Sequence, residues 1–337
     1  MKTVTPSIEF LIIGAQKGGT TSLFEYMRTH PQIHMPAEKE VAFFSSRYDR
    51  GWEWYTAKVL RNAPAAAVCG EASIEYMVGT PFSQVTRNDG GYRPNSEEIP
   101  TDLETVIPKR IRDCLPNVKL ICILRDPVAR AYSHYQMAVL DRLESRTFDG
   151  AVSALITPEA LNDARVARTS TNGYIVNGEY HRILRGFSRV FPDDQLLVLF
   201  SDDLSREPAS TLARVFAFVG VDPNVIPPNI GTKYRIAATE PRLAQLDLYA
   251  WQRALARSRP ARRLWHLLPN SVREQVDRGY SVAGYRTTMW NAKRHGPQED
   301  MSDNTRTTLI QHFLPDSQSL SQLVGTDIPW LTDRAGR

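Results

Sequence analysis

The sequence predicts an α/β fold: a mostly parallel sheet covered by helices on both faces, with a helical extension toward the C-terminus. Three observations carry that expectation. Short apolar runs, suited to strands buried on both sides, recur at Glu9–Ile13, Ala65–Cys69, Lys119–Leu124 and Gln195–Phe200. Stretches of helical character follow them, at Thr20–His30, from Pro127 through Leu140, and at Ala209–Val219. Turn residues stand at the joints, with Gly14 closing the first run and Pro31 stopping the first helix. Apolar strands alternating with helices call for a parallel sheet with both faces covered.

Each remaining segment has a reading of its own. Phe82–Pro100, rich in Asn, Gly, Pro and Ser, is expected to be a surface loop. Ser201-Asp-Asp-Leu204 follows the fourth strand. From about residue 231 the character changes: between Arg253 and Arg294 there are ten Lys or Arg against two acids, Glu274 and Asp277. Trp251, Leu255, Leu264, Trp265, Leu267 and Leu268 are interleaved among them. The final stretch is read as a helix over Thr307–Phe313, a break at Pro315, a second helix and a tail that packs back. The expected organisation is therefore a core over 1–230, a basic helical insertion over 231–303 and C-terminal helices over 304–337 that return to the core.

Composition narrows the class. A chain of 337 residues, 42% hydrophobic and 23% charged, suits a globular protein that buries a sizeable core. A net charge of +4 is too small to imply nucleic acid, yet it suits an anionic ligand held in a local pocket. Cys69, Cys114 and Cys122 are odd in number and lack C-x-x-C spacing, so neither a disulfide framework nor a zinc site is indicated. Cys122, within an apolar run, reads as a small buried hydrophobe. A reducing, cytoplasmic setting fits. The apolar stretch Phe10–Ile13 is too short for a membrane span, so no transmembrane segment is expected.

Two segments point to anion binding. Gly14-Ala-Gln-Lys17-Gly18-Gly19-Thr20-Thr21-Ser22 joins a strand to a helix. Adjacent glycines let the backbone approach a ligand, the helix start offers free N–H groups, and Lys17 with three hydroxyls adds charge and donors. The Walker order G-x-x-x-x-G-K-[ST] is not met, because the lysine precedes the glycine pair; the unit is P-loop-like only. The second segment is Arg125-Asp126-Pro127, with Asp126 as helix cap, Pro127 at the first helical position, and Arg130 and Ser133 in the next turns. Arg125 thus emerges at the carboxyl end of a strand, where open α/β sheets bind ligands. Two such sites on one sheet suit a nucleotide with phosphates at both ends.

At these residues the sequence resembles the sulfotransferases that use 3′-phosphoadenosine 5′-phosphosulfate (PAPS), especially the heparan-sulfate and bacterial branch. The similarity rests on Phe10–Ser22, on Leu124–Ser133, on Gly178-Glu-Tyr180 and on Phe191-Pro192 leading into Ser201-Asp-Asp-Leu204. The resemblance implies that Lys17, Gly18, Gly19, Thr20, Thr21 and Ser22 bind the 5′-phosphosulfate. It places Arg125 and Ser133 at the 3′-phosphate, with Tyr180 beside the nucleotide. Pro36–Phe44 resembles the segment that carries the catalytic base, which assigns that role to Glu40, while Lys17 stabilises the leaving oxygen. The expected activity is sulfuryl transfer from PAPS to an acceptor hydroxyl or amine, with no metal. His34, His134 and His181 stand as alternates for the base.

The chain departs from that branch where Ala42 replaces a common His, and where Glu71-Ala72-Ser73 lacks a Lys. It also lacks a cysteine-bounded lysine-glycine-arginine loop near its end. These differences count against a sulfated polysaccharide acceptor. The basic segment over 251–294 is expected to be an acceptor-side lid, peripheral membrane contact being its other reading. The alternatives to a sulfotransferase are a P-loop-type kinase, which needs a lysine after the last loop glycine, and a non-catalytic nucleotide-binding protein.

Overall fold

The computed structural model describes residues 6–78, 102–141, 143–232, 234, 239–241, 292–294 and 301–335. The chain divides into two compact units, Met1–Arg235 with Met301–Arg337, and Ile236–Asp300. Of the second unit, the described residues form one antiparallel pair, Thr239–Pro241 with Ala292–Arg294. The expected loop at 82–100 lies outside the described residues, as does the basic segment over 251–294 except for its last three positions.

The first unit is built on a parallel sheet in the order β2-β3-β1-β4-β5. Its strands are β1 (Ile8–Gly14), β2 (Ile33–His34), β3 (Val68–Ala72), β4 (Lys119–Leu124) and β5 (Leu196–Phe200). Alternation along β1 and β4 feeds two cores. Leu11, Ile13, Leu120, Cys122 and Leu124 face α2 (Trp52–Val59), α3 (Leu103–Cys114) and α7 (Tyr180–Ser188). Phe10, Ile12, Ile121 and Ile123 face α1 (Thr20–Met27) and α9 (Pro208–Val219), the latter preceded by the short α8 (Ser201–Arg206). A strand covered on both faces has no wet side, which is why these runs are apolar throughout. Cys122 is fully buried in this setting, and burial pushes its thiol well above the ordinary range.

Three boundaries differ from the sequence reading. The second apolar run begins pairing only at Val68 and continues to Ala72, because Pro64–Ala67 form a turn. There Gly70 sits so close to Phe10 that a side chain would meet its ring at 2.5 Å. The first helix ends at Met27, not His30, with Thr29 capping back onto Tyr26. The break expected at Pro315 does not occur, since α10 runs unbroken over Asp303–Val324. Tertiary packing overrides the proline: Leu309, Phe313, Ser317 and Leu320 are buried along one face, and Asp316 accepts from the backbone N–H groups of His181 and Arg182. The tail then packs back, with α11 (Pro329–Ala335) burying Trp330, whose indole N–H donates to Ser317.

Helices α4 (Pro127–Leu140), α5 (Phe148–Leu155) and α6 (Pro158–Val166) form a side cluster with the start of α10. Asp126 caps α4 by accepting from Ala129 N–H at 2.8 Å, as its position before Pro127 anticipates. Among the described residues, no helix is long and apolar enough to cross a membrane.

One buried carboxylate ties α6, α7 and α10 together. Glu179 accepts from Arg165 at 2.7 and 3.0 Å, from Arg182 at 2.6 Å, and lies 3.2 Å from His312. Burial works against its charge, but the His312 and Arg165 hydrogen bonds and the charges of Arg182 and Arg165 win, holding it far below its ordinary value of 4.5. A depressed carboxylate stabilises the fold above its unfolded value and loses that contribution as pH falls. We therefore expect stability in urea to decline steadily below about pH 4.5. Glu179→Ala should cost about 3–5 kcal/mol at neutral pH, since three basic groups lose their partner. Much of the acid sensitivity should vanish in that variant.

Candidate active site

The strand order changes direction between β1 and β4: the chain leaves β1 toward β2 and β3, and leaves β4 toward β5. Open α/β sheets bind ligands beyond the carboxyl ends of strands at such a point. Both predicted anion segments begin there, one after Gly14 and the other after Leu124.

The first loop is hung on β4. Ala15 N–H donates to the Ile123 carbonyl at 3.0 Å, and Gly18 N–H donates back to Ala15 at 3.0 Å. Gly18 passes so near that a Cβ would stand 2.2 Å from the Ile123 oxygen. Gly19 then takes φ 111°, a left-handed conformation that a side chain resists. Lys17 also has positive φ, 66°. No side chain caps α1, so its first-turn N–H groups face the loop, as an anion cradle requires. Thr21 and Lys17 are half-buried there, and Ser22 accepts from Tyr234 N–H at 3.5 Å.

The second segment supplies buried positive charge. Arg125 is half-buried, and its carbonyl accepts from the Tyr180 hydroxyl at 3.0 Å. Tyr180 thus holds the backbone of Arg125, while its ring is buried. On α4, Arg130, Ser133 and His134 share one buried face. Arg130 is fully buried and donates to the Tyr174 carbonyl, yet its Nε and one terminal nitrogen have no hydrogen-bond partner. Burial, with Arg125 adding to it, lowers its pKa to about 10. Arg168, just past α6, is buried with all three guanidinium nitrogens unpartnered. Its charge is disfavoured first by burial, then by Arg182 and Arg130. His134 is held neutral by burial and by Arg130, Lys17 and Arg168, and its Nδ1 is unpartnered.

Buried guanidiniums lacking acceptors are costly, and an anion between them removes that cost. These orphan donors therefore fit a phosphate-bearing ligand beside Arg125 and Ser133. Arg168 is not among the sequence-derived residues, and no pattern around it in the sequence gave a signal; its burial and unpartnered nitrogens are visible only in the structure. Arg130 was legible in the sequence, with Ser133, as a residue in the first turns of α4 able to reach the same strand end.

Glu40 lies close to the first loop through one lysine. Lys39 Nζ donates to Thr20 Oγ1 at 3.1 Å and to Glu40 Oε1 at 2.5 Å. The other oxygen, Oε2, accepts from Ile74 N–H at 2.9 Å. The run Glu38-Lys39-Glu40 gave no sign that Lys39 links α1 to Glu40; only the fold shows it. The alternate His34 falls beside Cys69 and Ile8, at the opposite end of the sheet from the loop. His181 begins α7, anchored by its backbone to Asp316. Of the three histidines, His134 alone sits among the site's cations.

The loop tolerates nothing larger than glycine at Gly18. We expect Gly18→Ala to destabilise the protein by about 1–3 kcal/mol in urea unfolding, because the contact is with backbone and not a yielding side chain. It should also abolish nucleotide binding measured by calorimetry.

Comparison with known proteins agrees with this geometry. A sulfotransferase domain model matches residues 7–232. Human heparan sulfate glucosamine 3-O-sulfotransferase 3B1 is 30% identical over 211 residues, covering 63% of this chain and 45% of the relative. The human bifunctional heparan sulfate N-deacetylase/N-sulfotransferase 2 is 29% identical over 233 residues, covering 66% of this chain and 23% of that protein. The chain therefore spans less than half the length of these curated relatives. A sulfotransferase from Alicyclobacillus acidocaldarius shares the fold, with a TM-score of 0.61, 20% identity, and coverage of 96% and 98% of the two chains. Since the matched stretch contains both anion segments and most of the sequence, the protein belongs to the sulfotransferase family.

Proposed function

We propose that the protein transfers a sulfuryl group from PAPS to an acceptor hydroxyl or amine and releases 3′-phosphoadenosine 5′-phosphate. The observation that carries this reading is a set of buried guanidinium nitrogens without acceptors, two on Arg130 within the Arg125–Ser133 segment and all three on Arg168, together with a glycine loop hung on the neighbouring strand. A single phosphate could be held by the loop alone; donors gathered at both strand ends suit a nucleotide anionic at both ends.

When bound, PAPS supplies a sulfuryl group joined to a phosphate that leaves readily. Lys17, the Gly19 N–H, and the Thr20 and Thr21 groups at the start of α1 hold the 5′ end, with Gly18 letting the backbone come close. Arg125, Ser133 and the orphan donors of Arg130 and Arg168 hold the 3′-phosphate. Lys17 neutralises the charge that builds on the bridging oxygen as its bond to sulfur breaks. Glu40 accepts the acceptor's proton while the acceptor oxygen or nitrogen forms its new bond to sulfur. Lys39, fixed on Thr20, aims the Glu40 carboxylate toward the same loop. The acceptor is a small molecule, lipid or carbohydrate. The curated relatives are named for heparan sulfate, but Ala42 and the Glu71-Ala72-Ser73 segment depart from that branch and argue against the same polymer here.

Calorimetric titration with 3′-phosphoadenosine 5′-phosphate, with and without magnesium, tests the donor site. We expect micromolar, metal-independent binding. It should weaken about 10–100-fold in Arg125→Ala or Arg168→Ala, the range for losing a charged hydrogen bond. Adenosine 5′-monophosphate, lacking the 3′-phosphate, should lose little in either variant. A preference for ATP with magnesium would replace this reading with a kinase. Glu40→Gln should keep nucleotide affinity while losing release of product nucleotide from PAPS; full activity in that variant would remove Glu40 as base.

A further inference from the structure

Glu71 is wholly buried in β3, yet its carboxylate is encircled by hydroxyls. Tyr76 donates to Oε1 at 2.6 Å and Tyr55 at 3.4 Å, while Ser73 donates to Oε2 at 2.8 Å. Two of these hydroxyls also serve the segment after Glu40. Ser73 Oγ accepts from Ala42 N–H at 2.8 Å, and Tyr76 Oη accepts from Phe43 N–H at 3.0 Å. Glu40 N–H donates to the Ala72 carbonyl at 2.8 Å, completing three cross-links between this segment and the end of β3.

Those cross-links restrain an unfavourable backbone. Glu40 and Ala42 have φ of 67° and 54°, a left-handed region that side chains resist at about 1–2 kcal/mol per residue. Such a turn persists only where its surroundings over-determine it. Each hydroxyl has one proton, and each already accepts from a backbone N–H. Both protons are therefore free to point at Glu71; as a carboxylate it accepts on both oxygens, whereas protonation turns one oxygen into a donor and weakens its hold on the hydroxyl there.

We propose that Glu71 is the positioning residue for Glu40: its carboxylate orients Ser73 and Tyr76 to hold Ala42 and Phe43, and so fixes the turn that presents Glu40 to Lys39 and Thr20. This rests on the reading of Glu40 as base. Burial raises Glu71 to about 7, against the Tyr76, Ser73 and Tyr55 hydrogen bonds and with the charge of Glu40 adding to the rise. The lock consequently engages as pH rises through neutrality. The groups facing it are Tyr55 from α2, with Cys114 of α3 behind it, and Tyr76 from the turn after β3; burial holds both phenols well above their usual range. Glu40, ion-paired with Lys39, faces it from the loop, and Glu75 with Ser45, Ser46 and Arg47 lies beyond. From β1 its register partner is the apolar Leu11.

The sign of the linkage separates positioning from simple support. A carboxyl raised on folding favours the folded state below its unfolded value, and loses that contribution as pH rises through about 7. Ionised Glu71 therefore lowers global stability while it tightens the local turn. Support alone would leave the two effects with the same sign.

Amide hydrogen exchange read by mass spectrometry, corrected for intrinsic rates, tests this on the full chain without donor or acceptor. Glutamine accepts one hydroxyl but offers an N–H to the second. At pH 8, the 40–44 segment of Glu71→Gln should exchange about tenfold faster than wild type, as expected for a hydrogen bond of about 1.4 kcal/mol. At pH 6 the two proteins should converge. Urea stability of the variant at pH 8 should equal or exceed wild type, and affinity for 3′-phosphoadenosine 5′-phosphate should change less than about twofold. Equal exchange at pH 8, an equal acceleration at both pH values, or acceleration across the whole chain would overturn the proposal. Should Glu71→Gln fail to fold, Ser73→Ala decides: it should release Ala42 while Phe43 stays protected, and release of neither or both refutes the arrangement. Absence of nucleotide binding in wild type would refute the transferase reading and leave the exchange result standing.

Discussion

The carbonyl of Ile123 is the point on which the site depends. It accepts from Ala15 and lies against Gly18, so the first anion loop cannot move relative to β4. Two residues further along that strand, the chain delivers Arg125 and the start of α4. This hydrogen bond continues the β1–β4 pairing and ties the loop after β1 to the strand that ends just before Arg125. Such a bond is worth only about 0.5–1.5 kcal/mol in net stability. Its consequence is geometric: it converts two separate strand-to-helix turns into one cleft at the switch point of the sheet.

Around that cleft the protein collects charge in an unusual balance. Glu179, itself buried, neutralises the partly exposed Arg165 and Arg182 and accepts hydrogen bonds from both. Arg168 is buried with no such answer, and Arg130 with only one of its three nitrogens bonded, to the Tyr174 carbonyl. Both arrangements pay desolvation, but only the first recovers it within the protein. The second keeps its donors for an anion, and this contrast between satisfied and unsatisfied guanidiniums marks the binding site more sharply than net charge does. A chain with a net charge of only +4 thus concentrates positive charge locally.

The opposite wall of the site is made by polar links and backbone strain. Lys39 connects Thr20 to Glu40, and Glu71 supports the same turn from beneath through Ser73 and Tyr76. Position 42 shows how this wall is occupied. In the heparan-sulfate branch a His is common there; here Ala42 has positive φ and gives its N–H to Ser73.

Much of the fold was legible because strands buried on both faces must be apolar, and Lys119–Leu124 with the Asp126-Pro127 start of α4 matched residue for residue. The loop from Gly14 to Ser22 was equally legible, since close backbone approach demands glycine and anion binding demands donors. Short or tertiary-supported pieces were not. Pro315 reads as a break, yet packing against α7 carries α10 through it. Strand β2 has two residues, too few for a pattern. Lys39, Arg168 and Glu71 are ordinary in sequence, because what distinguishes them is burial and the identity of distant neighbours. The sequence by itself determined which strands are buried and where glycine and helix-capping turns follow them, since both follow from local residue type. Only the tertiary structure decided that the turns share one edge, which guanidiniums lack acceptors, and which carboxylates meet hydroxyls or lysine, because those are contacts between residues far apart along the chain.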